Sequence, residues 1–135
     1  MNKQLQQQLY DDYPDLYEDR RLSIQESCMP WGIEAGMGWY FIIKNLSAAI
    51  TRISKSVRAT QVKEKFGGLR FYWRSVNDLT EDQYESISRA VDAAEEESYL
   101  VCEECGSRED VKQSQGWIRT ECGLCRLKRE LGVER

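Results

Sequence analysis

The apolar residues of this chain form one long helical stripe, a pair of alternating runs and several stretches with no period. From Trp39 the stripe continues through Ile42, Ile43, Leu46, Ile50 and Ile53, spaced i, i+3, i+4, i+7, i+11 and i+14. That spacing predicts a helix of about four turns with one buried face. Lys44, Arg52, Lys55 and Arg58 lie largely off the stripe. A second helix is expected from about Thr80 to Tyr99. Thr80 and Gln83 stand at the spacing of a capping box. Its stripe is narrow and built of small residues: Tyr84, Ile87, Val91, Ala94 and Ser98. Residues 2–10 suggest a short first helix, with Asn2 as its cap and Leu5 and Leu9 facing inward.

Between the two main helices, "ATQVKEKFGGLRFYWRS" alternates on both sides of Gly67-Gly68. Two glycines at the centre predict a type I′ hairpin. Pairing Phe66 with Leu69 sets an expected register in which Val62, Phe66, Leu69, Phe71 and Trp73 face the core. Glu64 shares that face and would need a structural partner there. The opposite face carries Lys63, Lys65, Arg70, Tyr72 and Arg74. Such a basic-aromatic face is a solvated surface, a protein contact or a nucleic-acid contact.

The stretches without a period are shaped by turn residues. "YDDYPDLYEDRR" is acidic, and its carboxylates at Asp11, Asp12, Asp15, Glu18 and Asp19 fit a solvated loop better than a magnesium site. Tyr13, Leu16 and Tyr17 would then pack inward. "CMPWGIEAGMGWY" is rich in Gly, Pro and Trp and predicts an irregular loop. Trp31 and Trp39 in it are core residues or anchors for a partner. Cys28 is expected to be a small buried hydrophobe.

Charge sharpens this picture. The net charge of -4 hides a segregation: residues 31–77 carry +6 and residues 78–110 carry -10. Separate basic and acidic regions suit docking on a patterned partner. The acidic peak, Glu95-Glu96-Glu97, is a solvated helix face or a mimic of phosphate. No run is long and apolar enough for a bilayer, and the N-terminal residues lack the apolar core of a signal peptide. A reducing cytosol is therefore the expected compartment, where paired cysteines are metal ligands more often than disulfides.

Those pairs are Cys102-x2-Cys105 and Cys122-x2-Cys125, sixteen residues apart. The spacing predicts one structural, tetrahedral Zn2+ with four cysteine ligands. Gly106 would permit the knuckle turn. A hairpin is expected over Val111–Thr120. "CGLCRLKREL" begins a helix with Leu124, Leu127 and Leu131 on one side. Treble clef and zinc ribbon both remain open. That helix offers Arg126, Lys128 and Arg129 against Glu130 and Glu134, too little for sequence-specific groove reading.

Four thiolates complete a tetrahedron, and the chain has no histidine to act as base or shuttle. Serine–histidine and cysteine–histidine nucleophiles are excluded, and no phosphate-binding glycine motif is present. Catalysis could use only carboxylates at Glu34, Glu64 or Asp11–Asp15, and a non-enzymatic protein is expected.

"QVKEKFGGLRFYW", "AEEESYLVCEECG" and "GWIRTECGLC" together resemble a family of small, mostly uncharacterised phage and prophage zinc-containing proteins. The resemblance spans roughly residues 30–125. The chain departs from the family at Ala35 and Met37, where members often carry Cys and Asp. The resemblance implies a phage setting in a bacterial host cytosol.

The expected fold is α+β: two main helices on a β-hairpin in residues 1–99, with a four-cysteine zinc module in residues 100–135. The expected function is docking on a host or phage protein, as in inhibition of a bacterial defence system. The contact residues would be Lys63, Lys65, Arg70, Tyr72, Arg74, Trp31 and Trp39, together with the acidic helix. The alternative is nucleic-acid binding through the same hairpin face. No membrane or small-molecule partner is expected.

Overall fold

The computed structural model describes residues 1–132; residues 133–135, including Glu134 and the end of the zinc module, lie outside the described part. The fold is α+β. Helix α1 spans Lys3–Asp12, α2 Tyr40–Ile53, α3 Glu81–Ser98 and α4 Gly123–Glu130. Strands β1 (Ile33–Glu34), β2 (Val57–Lys65) and β3 (Gly68–Ser75) form one sheet in that order. Strands β4 (Lys112–Gln113) and β5 (Thr120–Glu121) form a separate small hairpin. No helix among the described residues is long and apolar enough to cross a membrane.

The helices form where period and caps direct them. Asn2 Oδ1 accepts the Gln4 amide at 2.8 Å, opening α1. Thr80 and Gln83 make both bonds of the capping box that starts α3. The α2 stripe (Ile42, Ile43, Leu46 and Ile50) is buried. It meets Ile87, Val91 and Ala94 of α3 and Val57, Ala59, Val62, Leu69 and Phe71 of the sheet in one core. Ser47 sits buried in this core. Its hydroxyl donates to the Ile43 carbonyl and so accepts from the Tyr17 hydroxyl at 2.7 Å. Tyr84 departs from its expected place: it is exposed, and its ring lies against Trp73 at 5.2 Å between centroids.

Helix α3 also closes the outer edge of β3. The Leu69 amide donates to Ser98 Oγ at 2.9 Å, and the Phe71 amide donates to a Glu95 carboxylate oxygen at 2.9 Å. An uncovered edge of that kind invites pairing with another chain. Glu95 and Ser98 therefore have structural work that the acidic run of α3 did not announce.

The hairpin forms, but its turn lies one residue earlier than the glycine pair suggests. Lys65 pairs with Gly68, Glu64 with Leu69, Lys63 with Arg70 and Val62 with Phe71. The two turn residues are Phe66 (φ 53°) and Gly67 (φ 84°), the positive pair a type I′ turn needs. Gly68 is kept small by a different contact. A Cβ there would sit 2.3 Å from the Tyr99 ring. Phe66 is thereby moved out of the expected core face and is 68% exposed. Glu64 is half-buried and finds its partner in the turn, where it accepts the Gly67 amide at 2.7 Å.

Further along, a bulge at Thr60 shifts the register between Ala59 and Gln61. The Thr60 carbonyl accepts from the Cys28 amide and the Ser27 hydroxyl. Those bonds hold the Cys28 backbone against the sheet while its side chain is exposed, contrary to the expected burial. The Gly/Trp loop is likewise more regular than expected. Ile33–Glu34 adds to the sheet as β1, parallel to β2 at Val62 and Lys63.

Arg74 is the other residue whose setting differs from its outward register. It forks onto Asp19, with bonds of 2.7 and 3.0 Å, and Asp19 is only 2% exposed. The guanidinium neutralises a carboxylate that the fold has taken out of water.

Arg74→Ala should therefore lower unfolding free energy by about 2–3 kcal/mol in urea titration, because Asp19 is left buried without its cation. Phe66→Asn should act in the opposite direction. Asn tolerates the left-handed backbone that Phe resists, and a gain of about 0.5–1 kcal/mol is expected in the same titration.

Candidate metal centre and the surfaces around it

The four cysteines come from two local structures. Cys102 and Cys105 lie on the turn that follows α3. Within it the Gly106 amide donates to the Cys102 carbonyl at 2.8 Å, and Gly106 takes φ 83°. Cys122 is the N-cap of α4 and accepts the Cys125 amide at 3.4 Å, which sets both thiols at the first helical turn. Knuckle, β4–β5 hairpin and ligand-bearing helix follow one another in the order of a treble-clef finger. A zinc ribbon would place the second pair on another turn.

The sulfur geometry fits one metal ion. All four Sγ atoms lie within 4.8 Å of one another, and Cys105 and Cys122 are 3.7 Å apart. Tetrahedral zinc with Zn–S near ~2.3 Å requires sulfurs ~3.8 Å apart. Cys102, Cys122 and Cys125 are buried, and Cys105 is at the surface. Burial pushes the Cys122 thiol up, but the Cys125 amide and the neighbouring thiols outweigh it and bring it down to about 7. Burial and the same neighbours push Cys125 up. A set of thiols this close shares its protons until a cation replaces them. Four sulfur ligands fill the coordination shell, so the site supplies structure.

The zinc knuckle is seated on the glycine loop that precedes α2. The Gly38 amide donates to the Glu103 carbonyl at 2.7 Å, the Gly36 amide to the Glu103 carboxylate at 2.9 Å, and the Trp39 indole to the Val101 carbonyl at 2.9 Å. A Cβ on Gly38 would lie 2.1 Å from the Cys102 carbonyl oxygen, and one on Gly36 2.4 Å from the Glu103 oxygen. A second joint lies at the hairpin turn, where the Thr120 hydroxyl donates to the Gly67 carbonyl. The Glu103 amide donates to the Thr120 carbonyl at 3.0 Å, linking the two joints. Helix α4 is tied to β5 by Arg129, which pairs with the buried Glu121 at 3.0 Å.

The expected contact residues have different fates. Trp39 is fully buried, with its indole N–H satisfied, so no partner can reach it. Trp31 is 65% exposed. Arg74 is committed to Asp19. Arg70 is half-buried and donates to the Leu69 carbonyl at 2.9 Å and the Tyr99 hydroxyl at 3.1 Å. That hydroxyl and the neighbouring Glu95 carboxylate hold the guanidinium firmly in its charged form. Lys63 is half-buried, while Lys65 and Tyr72 are exposed. The basic face thus keeps two lysines and a tyrosine at hand, with its arginines turned to internal partners. Glu34 is exposed on β1, and Asp11 and Asp12 each accept a glutamine amide from α1 at 2.9 Å.

Larger exposed side chains gather around the zinc module. Met37 and Phe41 border a groove that also contains Cys105 and Gly106. Leu124 and Leu127 border a second cavity that contains Cys105 and Cys122. Phe66 and Trp117 flank a third. The leucine period was visible along the chain, but its outward direction was not. For Trp117 the one local signal is its place beside Gly116 in a tight loop, where Ser114 Oγ donates to the Trp117 carbonyl and accepts the Arg119 amide, both at 2.9 Å.

In the zinc-bound protein a thiol reagent should react with Cys28 first, and chelation should then release the other four of the five cysteines. Gly38→Ala should expose those four without chelator, because its methyl group displaces the Cys102 backbone; the reagent count and zinc content measure both. Comparison with protein-family models, with curated proteins and with solved structures finds no match, so the function is argued from this geometry.

Proposed function

We propose that this chain is a non-enzymatic binding protein that docks on another protein through the surface around its zinc module. The observation that carries this is the pair of apolar hollows on either side of the exposed Cys105. One is bordered by Phe41 and the other by Leu124 and Leu127. Leu131 extends the second along α4 at helical spacing, and all four side chains are exposed. A contiguous apolar surface with polar edges is the usual mark of a protein interface. A rigid zinc-held backbone beneath it lowers the ordering cost of binding.

The setting follows from the resemblance over residues 30–125. It supports a phage or prophage setting in a bacterial cytosol, and within that setting the proposed partner is a host or phage protein, as in inhibition of a defence system. The hairpin face contributes Lys63, Lys65 and Tyr72 at the edge of the contact, and Trp31 lies on a separate exposed loop. Nucleic-acid binding through that hairpin is the alternative. It is weakened by the internal bonds of Arg70 and Arg74, since phosphate contacts need free cations.

The test is affinity capture from bacterial host cytosol, comparing wild type with Leu124→Glu plus Leu127→Glu and with Lys63→Glu plus Lys65→Glu. The leucine variant should lose the captured protein while retaining one zinc per chain. Capture that survives the leucine change but falls with the lysine change, and weakens steeply with salt on added RNA or DNA, would move the function to the nucleic-acid alternative.

A further inference from the structure

The turn of the β2–β3 hairpin and the loop of the β4–β5 hairpin meet at their tips. Between them lies a cavity of about 310 Å³ lined by Glu64, Phe66, Gly116, Trp117 and Ile118. It continues past Glu64, Trp117 and Ile118 into a second hollow of about 250 Å³, which Glu103 and Glu104 also border. Two aromatic rings and several carboxylates therefore share one cleft.

Both rings are unusually placed for residues without a task. Trp117 is 81% exposed at a loop tip, and the Ser114 bonds fix its backbone. Phe66 is 68% exposed and occupies the left-handed region at φ 53°, where a bulky side chain is disfavoured. An aromatic held in a strained turn and left this exposed points to a binding role. The turn itself would form more easily with Asn or Gly at this position.

The charge of the cleft selects the ligand. Glu64 and Glu103 are half-buried, and each accepts a single backbone amide, from Gly67 and Gly36. Glu104 borders the same hollow, and carboxylates gathered on one lining favour a cation between them. Glu121 also borders the deeper hollow but is held by Arg129, and among the described residues Arg119 is the one cation on its lining. The rings favour the same ligand. Lys65 of this chain already places its ammonium 5.6 Å from the Phe66 centroid, within the range of a cation–π contact. A planar guanidinium can stack on an aromatic face and fork onto a carboxylate at once, which an ammonium cannot. Phosphate would be repelled.

We infer that this cleft is a receptor for an arginine side chain in a basic segment of the protein partner. The guanidinium stacks between Trp117 and Phe66 and pairs with Glu64, with Glu103 and Glu104 extending the negative field to the neighbouring residues of the segment. The inference rests on the docking function proposed above, and it names the chemistry of the segment that enters the cleft beside the apolar hollows.

The test titrates the zinc-bound protein with an acetylated peptide of alternating arginine and glycine, by calorimetry and by the shift of the Trp117 indole proton in NMR. The wild type should bind, and Trp117→Ala, Phe66→Asn and Glu64→Gln should each weaken binding by about tenfold. Phe66→Asn should do so with no loss of thermal stability, and Glu64→Gln keeps an acceptor for the Gly67 amide, so neither result can be charged to unfolding. Glu96→Gln on the exposed face of α3 should leave affinity unchanged, which separates the cleft from general attraction to acidic surface. A glutamate-glycine peptide and a short single-stranded RNA should not shift the Trp117 proton. Equal binding by wild type and Trp117→Ala, or no binding at millimolar peptide, would overturn the inference, as would an RNA-induced shift of Trp117. Loss of partner capture by the leucine variant alongside an unresponsive cleft would leave the docking function standing and remove only the arginine site.

Discussion

Two glycines before α2 let the zinc knuckle rest directly on the core, and much of the molecule is arranged around that contact. Gly36 and Gly38 have no side chain at the positions where the Cys102 and Glu103 carbonyls approach. Three hydrogen bonds, from Gly36, Gly38 and the Trp39 indole, then reach the segment Val101–Glu103. Trp39 is at once the first residue of the α2 stripe and the donor that anchors the chain entering the knuckle. Burying its ring and satisfying its N–H are one event. The metal holds the knuckle closed, and the loop fixes where the closed knuckle sits.

That seat determines what becomes surface. With Cys102 and Glu103 fixed, Thr120 reaches the carbonyl of Gly67 and brings the tip of the main hairpin against the zinc hairpin. Phe66 and Trp117 then face a common cleft, and Glu64 and Glu103 border the hollow that continues from it. On the far side, α4 is clamped to β5 through Arg129 and Glu121, so its leucines point away from the core. The zinc ion is structural in its chemistry, yet the exposed apolar side chains it organises are those best suited to contact another protein. The fastener and the binding surface proposed for this chain would then be two sides of one small module.

Electrostatics divides in the same way. The basic stretch from residue 31 to 77 and the acidic stretch from 78 to 110 look like two surfaces along the chain. In the fold, part of each is used internally. Arg74 neutralises Asp19, Arg70 is held at Tyr99, Glu95 caps a β3 amide, and Glu97 pairs with Arg108. Counting charges by segment overstates what a partner would meet, because long cationic and anionic side chains reach across elements to satisfy buried groups.

Local interactions explain what could be read along the chain. The period of α2, the capping box of α3, the cap of α1 and the four-cysteine spacing each involve residues within a turn or two, so sequence alone determined them. The hairpin was legible as a hairpin, but its register depended on whether Gly68 served the turn or made room for Tyr99, the residue that caps the end of α3. Trp31 and Trp39 are alike in sequence, and only the approach of Val101, more than sixty positions away from Trp39, made one a core anchor and left the other exposed. The outward leucines of α4, the fork of Arg74 on Asp19, the two-residue strand at Ile33–Glu34 and the cleft between Phe66 and Trp117 were settled in the same manner. A repeating pattern specifies that a face exists, whereas what lies against that face is a property of segments distant in the chain, and only the tertiary structure brings them together.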